Sequence, residues 1–352
     1  MALLITEADI RDLMASATSM AEAIDVMETV FIEQAHGRLA LRPRIQIDYP
    51  PGSAGETAGR SLRLLPCIIP ALNAAAVRVY TTNKVGDSMR PAPSELILLF
   101  DHDTMELRAL IEDYSLHNLR TAAPTGVATR HLARPDASRV GVLGSGRHAR
   151  GQLAAVASVR RLERVDVFSP RRESRETFAR EAGEMLGIPV MAHSDPEAVV
   201  RLADIVIVAT TTAEPVLRSE WLRPGVHVNS MAPSELDADT LLRARVFPNL
   251  AEDVLDGVPP WPPIPELLER GKLRRDDLET ELCAVVAGAA PGRSSADDVT
   301  LFISTGMATW DVAIAWWAEG AARRAGLGTE LWQAGASRSV PGLVAPLPTL
   351  LT

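Results

Sequence analysis

The chain has 352 residues, of which 47% are hydrophobic and 23% charged, with a formal net charge of -9. That length suits two domains and that balance supports a sizeable core, which excludes wholesale disorder. The acidic excess argues against a nucleic-acid partner, no apolar run approaches the roughly 18 residues of a membrane span, and two distant cysteines, Cys67 and Cys283, argue against a disulfide scaffold or a structural zinc site.

The stretch from Met1 to Asp9 has no basic region and carries Glu7 and Asp9 early, which argues against a signal peptide and for a cytoplasmic protein. Two helices are predicted in the first forty residues. Thr6-x-x-Asp9 and Ser19-x-x-Glu22 both read as capping boxes, Ile24, Met27 and Phe31 share a face, and Gly37 is a C-terminal stop. Strands are predicted over 44–49, 62–65, 76–82 and 96–100, separated by turn residues (Pro50-Pro51-Gly52, Gly55, Gly59), as in a mostly antiparallel or mixed sheet. Asp101-His102-Asp103 reads as a turn, not a metal pair.

From Asp113 the pattern changes. A long helix over 116–132 is followed by strands and helices in alternation: strands 139–143, 164–169, 188–191, 204–210, 226–231 and 245–249, helices 148–158, 172–185, 195–202 and 237–244. The strands are short, rich in Val and Ile, and apolar on both faces, as expected in a parallel sheet covered by helices. After about 290 the pattern reads as helix only, notably 307–325, and 336–352 as a loose tail. The predicted fold is α/β: a Rossmann-type doubly wound parallel sheet over 121–310, plus a smaller α+β domain from 1–120 with 311–352.

The strongest local signal is Val140-Gly-Val-Leu-Gly144-Ser145-Gly146-Arg147-His148-Ala149, between a strand and a helix. Gly144 permits the tight turn, Gly146 lets backbone approach a pyrophosphate, and Ala149 allows close helix–strand packing. The helix N-terminus then faces the phosphates. At the tip of the second strand an NAD site shows an acid for the ribose 2′-hydroxyl. Here Ser169-Pro170-Arg171-Arg172 stands instead, a hydroxyl and two guanidinium groups suited to a 2′-phosphate. The expected cofactor is NADP(H), with NAD(H) second; the competing reading makes both arginines solvated first-turn residues.

With these residues in place, the sequence resembles the ornithine cyclodeaminase/mu-crystallin family. Arg42-Pro43-Arg44, Asn118-Leu-Arg120-Thr121-Ala-Ala123, the loop 142–149, the segments 209–216 and 221–229, and Gly306-Met-Ala-Thr-Trp-Asp311 carry the resemblance in order over about 5–332. Thr121, Thr210 and Thr211, within these segments, are further cofactor-binding candidates. The resemblance implies a homodimer formed through the sheet-rich domain, a substrate site between domains, and chemistry on a small amino or imino acid with a nicotinamide cofactor. Some members are cyclodeaminases that return the hydride internally and expel ammonia; others reduce ketimines or dehydrogenate amino acids.

By the same resemblance Arg44 and Arg120 hold the substrate carboxylate, a match of planar fork to planar anion. Arg42 competes with Arg44, two residues away. The family's next active-site residue is a lysine; here it is Arg78, which binds or polarises but in practice does not release a proton. Tyr80, Thr82 and Lys84 share its strand parity, so Tyr80 or Lys84 is a candidate proton source. The cyclodeaminase aspartate before a Glu-Leu pair is absent from Asn229-Ser-Met-Ala-Pro-Ser-Glu235-Leu236, and Asp237 reads as a helix start. Losing both lysine and aspartate argues for net reduction of an imino acid or cyclic ketimine, or the reverse dehydrogenation. The alternatives are a cyclodeaminase-like lyase and a non-catalytic binder that keeps the nucleotide. Trp261, among four prolines, marks a rigid loop over the site or at an interface, and Trp316 and Trp317 are expected in the core or dimer contact. No metal is expected.

Overall fold

The computed structural model describes residues 1–16, 18–49, 60–85, 88–90, 95–212, 214–257 and 261–332. The predicted turn residues 50–59 and the tail 336–352 lie outside them.

Strand β1 (Ala2–Ile5) enters α1 (Glu7–Met14) through the predicted capping box, in which Asp9 N–H donates to Thr6 Oγ1 and Thr6 N–H to the Asp9 carboxylate. The second box does not form. Helix α2 (Ser19–Ala35) starts after Thr18, and the Ser19 hydroxyl donates to the Leu13 carbonyl at 2.6 Å, tying α2 to α1. Next come β2 (Ala40–Leu41), β3 (Ile45–Tyr49), β4 (Arg60–Ile69), β5 (Ala74–Val85), β6 (Ser88–Arg90), β7 (Glu95–Asp101) and β8 (Leu107–Glu112). With β16 (Thr329–Trp332) they make a nine-stranded sheet in the order β16-β1-β8-β7-β5-β4-β2, with β3 also on β4 and β6 on β5. Every pair is antiparallel except β1 with β8.

Helix α3 (Leu116–Leu132) leads into the second unit. It runs through β9 (Arg139–Leu143), α4 (Arg147–Val159), β10 (Arg164–Phe168), α5 (Arg172–Leu186), β11 (Val190–His193), α6 (Pro196–Leu202), β12 (Ile205–Val208), β13 (His227–Ser230), α7 (Ala238–Arg243) and β14 (Arg245–Pro248). Three short helices follow, α8 (Ala251–Asp256), α9 (Ile264–Glu269) and α10 (Leu282–Val286), then β15 (Thr300–Ile303) and α11 (Ala308–Ala325). The second sheet has seven parallel strands in the order β11-β10-β9-β12-β13-β15-β14. The fold is α/β with a Rossmann-type parallel sheet. The expectation of helices alone after 290 is corrected by β15, which lies between β13 and β14. Its four residues are buried on both faces, so no alternation marks them as strand.

Strand order reverses between β9 and β12, opening a crevice beyond their C-terminal ends. On the first sheet, the inner face packs on α11, an alanine-rich helix that brings Trp310 edge-on to Phe31 of α2 at 6.2 Å. Trp317 is buried there and donates to Glu22 at 2.8 Å. The outer face differs: Ile47 and Tyr49 of β3 are 58% and 63% exposed, beside Ile45 and Leu62.

Candidate functional site

The loop after β9 has the shape its glycines imply. Gly144 sits at φ +113°, and a Cβ there would lie 2.2 Å from the Ala209 carbonyl oxygen, so only glycine fits between β9 and the end of β12. Its N–H donates to the Phe168 carbonyl at 2.9 Å. Gly146 caps α4 with open space around it, and Ala149 is buried against the sheet. The free N–H groups of a 13-residue helix therefore start at the crevice, with Ser145 half-buried and Arg147 exposed beside them. Gly144→Ala should weaken nicotinamide-nucleotide binding by roughly tenfold or more, because the loop must move to relieve the clash. Fluorescence titration with NADPH and NADH checks this; unchanged affinity would remove the loop from the site.

Across the crevice, Thr210 N–H and Oγ1 donate to Glu235 Oε1 at 2.6 and 3.0 Å, and Thr211 is exposed. Glu235 is buried and also accepts from Ser230 Oγ and the Met231 and Ala232 N–H groups. Burial pushes its carboxyl up, against the pull of those bonds. It fastens the ends of β12 and β13 together. Asp237 caps α7 through Thr240 N–H at 2.8 Å. Both acids after β13 thus have structural partners.

At the tip of β10, Ser169 is buried and Arg171 and Arg172 are exposed. Arg172 Nε donates to Glu176 at 2.7 Å. The acid in β10 itself, Asp166, lies inside the strand and is held by His193 at 2.6 Å and by Arg164.

A buried ionic cluster joins β5, β7, α3 and α11. Arg78, 2% exposed, donates through Nε to Asp113 and through Nη2 to Glu95 at 2.5 Å, lies 3.7 Å from Asp311, and stacks 4.3 Å from the Tyr80 ring centroid. Arg120 Nε is 3.2 Å from Asp311. Nη2 of both arginines reaches His117 Nδ1, at 3.0 and 2.9 Å. Burial, then the Arg120 and Arg78 charges, holds His117 far below the ordinary imidazole range. Burial pushes the Asp113 carboxyl up to about 7, opposed by Arg78 and reinforced by Asp311. Oxygen and nitrogen atoms of Glu95, Asp113 and His117 lie within 4.8 Å of one another, as metal ligands would, but the cation among them is the Arg78 guanidinium. Thr121 donates to the His117 carbonyl at 2.7 Å, and its own carbonyl accepts from Gln152 of α4, which binds α3 to the nucleotide-loop helix.

Arg44 and Arg42 both line a cavity of about 410 Å³ together with Asp253, Trp261, Thr305 and Gly306. Arg120 reaches its wall: Nη1 would lie 3.4 Å from a Cβ on Gly306. Asp253 accepts from Thr305 Oγ1 at 2.9 Å. A second crevice of about 380 Å³, beside β14, carries none of the candidate residues. Arg44 thus lines the cavity, Arg120 lies next to Gly306 of its wall without being among the lining residues, and Arg78 and Tyr80 sit in the ionic cluster. The side chain of Lys84 lies outside the described residues.

Glu95, Asp113, His117, Asp253 and Asp311 were not singled out in the sequence. Asp311 had a signal, being the last residue of a segment already matched, but in a helix rich in Ala and Trp it reads as core.

The sequence model of the ornithine cyclodeaminase/mu-crystallin family matches residues 7–324. A putative dehydrogenase of Rhizobium meliloti is 31% identical over 339 residues, covering 93% of this chain and 97% of its own. Delta(1)-pyrroline-2-carboxylate reductase of Bacillus cereus is 31% identical over 275 residues, covering 76% of this chain and 83% of its own. The structure of Thermococcus litoralis Delta(1)-pyrroline-2-carboxylate reductase in complex with NADH and L-proline superimposes with a TM-score of 0.81 at 30% identity, covering 94% of this chain and all of that one. No helix among the described residues is long and apolar enough to cross a membrane.

Proposed function

The chain belongs to the ornithine cyclodeaminase/mu-crystallin family, and on that premise we propose that it is an NADPH-dependent oxidoreductase reducing the C=N bond of a small imino acid or cyclic ketimine, or running the reverse dehydrogenation. The observation that carries this reading is the approach of Arg120 Nη1 to Gly306, on the wall of the cavity that Arg44 lines, while α4, the helix that follows the glycine loop, is bound to α3 through Gln152. The nicotinamide, once bound, supplies the hydride. The protein's part is to seat the phosphates on the N-terminus of α4 through Gly144, Ser145, Gly146, Arg147, His148 and Ala149, with Thr121, Thr210 and Thr211 beside them. Arg120 and Arg44 hold the substrate carboxylate, and Arg78 with Tyr80 fixes Arg120 through His117. Residues 121–310 form the nucleotide domain; 1–120 with 311–352 form the substrate and dimer domain. The test is Δ1-pyrroline-2-carboxylate with NADPH: stoichiometric loss of NADPH absorbance supports the reading, and no turnover of this or related imino acids refutes it.

A second reading keeps the cyclodeaminase reaction, since Asp253 places a carboxylate in the cavity where a proton has to be taken and returned. Against it stands the engagement of Glu235 and Asp237 in the backbone. Ammonia released from ornithine without net change in nucleotide absorbance would favour it.

NADPH is preferred here over NADH, although the T. litoralis relative was solved with NADH, because Arg171 and Arg172 stand at the β10 tip and Asp166 is engaged inside the strand. Replacing both arginines by alanine should raise the KM for NADPH about tenfold and leave that for NADH within a factor of about two. Equal changes would make them ordinary surface residues.

The outer face of the first sheet supports a homodimer. Its exposed Ile45, Ile47, Tyr49 and Leu62 form a contiguous apolar surface of the kind that marks an interface. Ile47→Asp should shift the protein from dimer to monomer in sedimentation; an unchanged dimer would place the contact elsewhere.

A further inference from the structure

Guanidinium N–H groups only donate. Arg78 Nη2 and Arg120 Nη2 both lie within hydrogen-bond distance of His117 Nδ1, at 3.0 and 2.9 Å. That nitrogen must therefore present a lone pair, and the ring proton must be on Nε2. The two nitrogens point to opposite edges of the ring, so the Nε2–H is turned away from the arginines. Among the described residues nothing accepts from it, and the side chain keeps 20% of its surface exposed. Close to the ring is His148, the second residue of α4, with centroids 5.8 Å apart. His117 thus stands between Arg78 and Arg120 on one side and the helix that follows the glycine loop on the other.

We propose that His117 is a ligand-binding residue of this site: Arg78 and Arg120 lock it as the Nε2–H tautomer, and the free N–H donates to the nicotinamide nucleotide when it is bound. The inference rests on the nucleotide reading given above. A fixed neutral donor suits the position. A protonated imidazole would bring a third positive charge against Arg78 and Arg120, and the opposite tautomer would set N–H against N–H. Because the arginines hold one edge of the ring and the nucleotide would hold the other, occupancy of the nucleotide site fixes the orientation of Arg120 before substrate arrives. His117 acts on the nucleotide directly and on the substrate only through Arg120, for which it is a positioning residue.

The test uses the full-length protein with 15N-labelled histidine. Long-range proton–nitrogen spectra, with the His117 signals identified by their loss in His117→Asn, should show an unprotonated Nδ1 and a protonated Nε2 from acid to neutral pH. NADPH, or NADH if it binds better, should shift the Nε2–H resonance. Asparagine keeps an acceptor near the Nδ1 position and lacks the far donor. His117→Asn should therefore raise the Kd for NADPH at least fivefold and leave the substrate KM at saturating nucleotide within about twofold. His117→Leu, which lacks both, should raise both constants. An Nδ1–H tautomer, or nucleotide binding that leaves the His117 resonance unmoved with wild-type affinity in His117→Asn, overturns the proposal alone. Failure of wild-type protein to bind NADPH or NADH overturns the functional reading and this proposal with it.

Discussion

Replacing Arg78 by leucine is expected to destabilise the protein by about 3–5 kcal/mol, the usual consequence of removing one partner from a buried ion pair. Asp113 would be left fully buried with its main donor gone, and Asp311, 1% exposed, would keep only Arg120 nearby. Urea denaturation monitored by circular dichroism checks this, and a loss below about 1 kcal/mol would mean that water reaches the cluster. Arg78→Lys should recover only part of the loss. The lysine offers one nitrogen in place of two: the guanidinium divides its acceptors between Nε, to Asp113, and Nη2, to Glu95 and His117, and its planar fork is lost. It also restores the residue type that the family resemblance places there, so its activity reports whether arginine is needed for this chain's own chemistry.

The cluster also sets how stability varies with pH. The Asp113 carboxyl is raised to about 7 in the folded state, so the stability it contributes is complete below the ordinary carboxyl range and is lost as pH rises through about 7. His148, lowered to about 4 mainly by burial, and His227, lowered to about 3 by the same cause, act in the opposite sense. Each contributes stability that is present above the ordinary imidazole value of about 6.5 and is lost on acidification. Asp113→Asn removes the first effect and keeps the others. Compared with wild type, its stability should improve progressively as pH goes from about 4 to 7. A parallel pair of pH profiles would show that Asp113 does not take up a proton in that range.

How much of this was legible in the sequence depended on the range of the interaction. The β9–α4 loop was readable because its requirements are local: Gly144 meets Ala209 only because β12 pairs beside β9, yet the left-handed turn itself lies within one short segment. The helices expected over 116–132 and 172–185 form over Leu116–Leu132 and Arg172–Leu186. Strands β1 and β16 were not readable, because each is four residues long and its partners are far away in sequence: β1 pairs with β8 and β16, and β16 pairs with β1. The ionic cluster was hidden for the same reason. Asp113 precedes a helix, Glu95 starts β7 in the interior of the first sheet, and Asp311 lies in a tryptophan-rich helix, so nothing local joins them to Arg78. The arginine in the lysine position was visible; its carboxylate partners come from three other elements.

Arg120→Ala is expected to raise the substrate KM by roughly 10- to 150-fold, the loss of a charge-assisted interaction of about 1.5–3 kcal/mol. Its three nitrogens have separate surroundings. Nε faces Asp311, Nη2 donates to His117, and Nη1 lies at Gly306 on the cavity wall. The nitrogen left for a ligand is therefore chiefly Nη1, and a carboxylate held there needs a second cation to satisfy its other oxygen. Arg44 and Arg42 line the same cavity and are the available ones. The alanine variant should retain NADPH binding within about threefold, since the phosphate loop sits on α4 and Arg78 still reaches His117 Nδ1. Arg44→Ala should show the same pattern to a smaller degree, because Arg42 stands two residues away. Together, the two substitutions should exceed the larger single effect if the arginines grip one carboxylate. If Arg120→Ala weakened nucleotide and substrate equally, or left KM unchanged while lowering stability, Arg120 would be a partner of Asp311 and the carboxylate would have to bind elsewhere in the cavity.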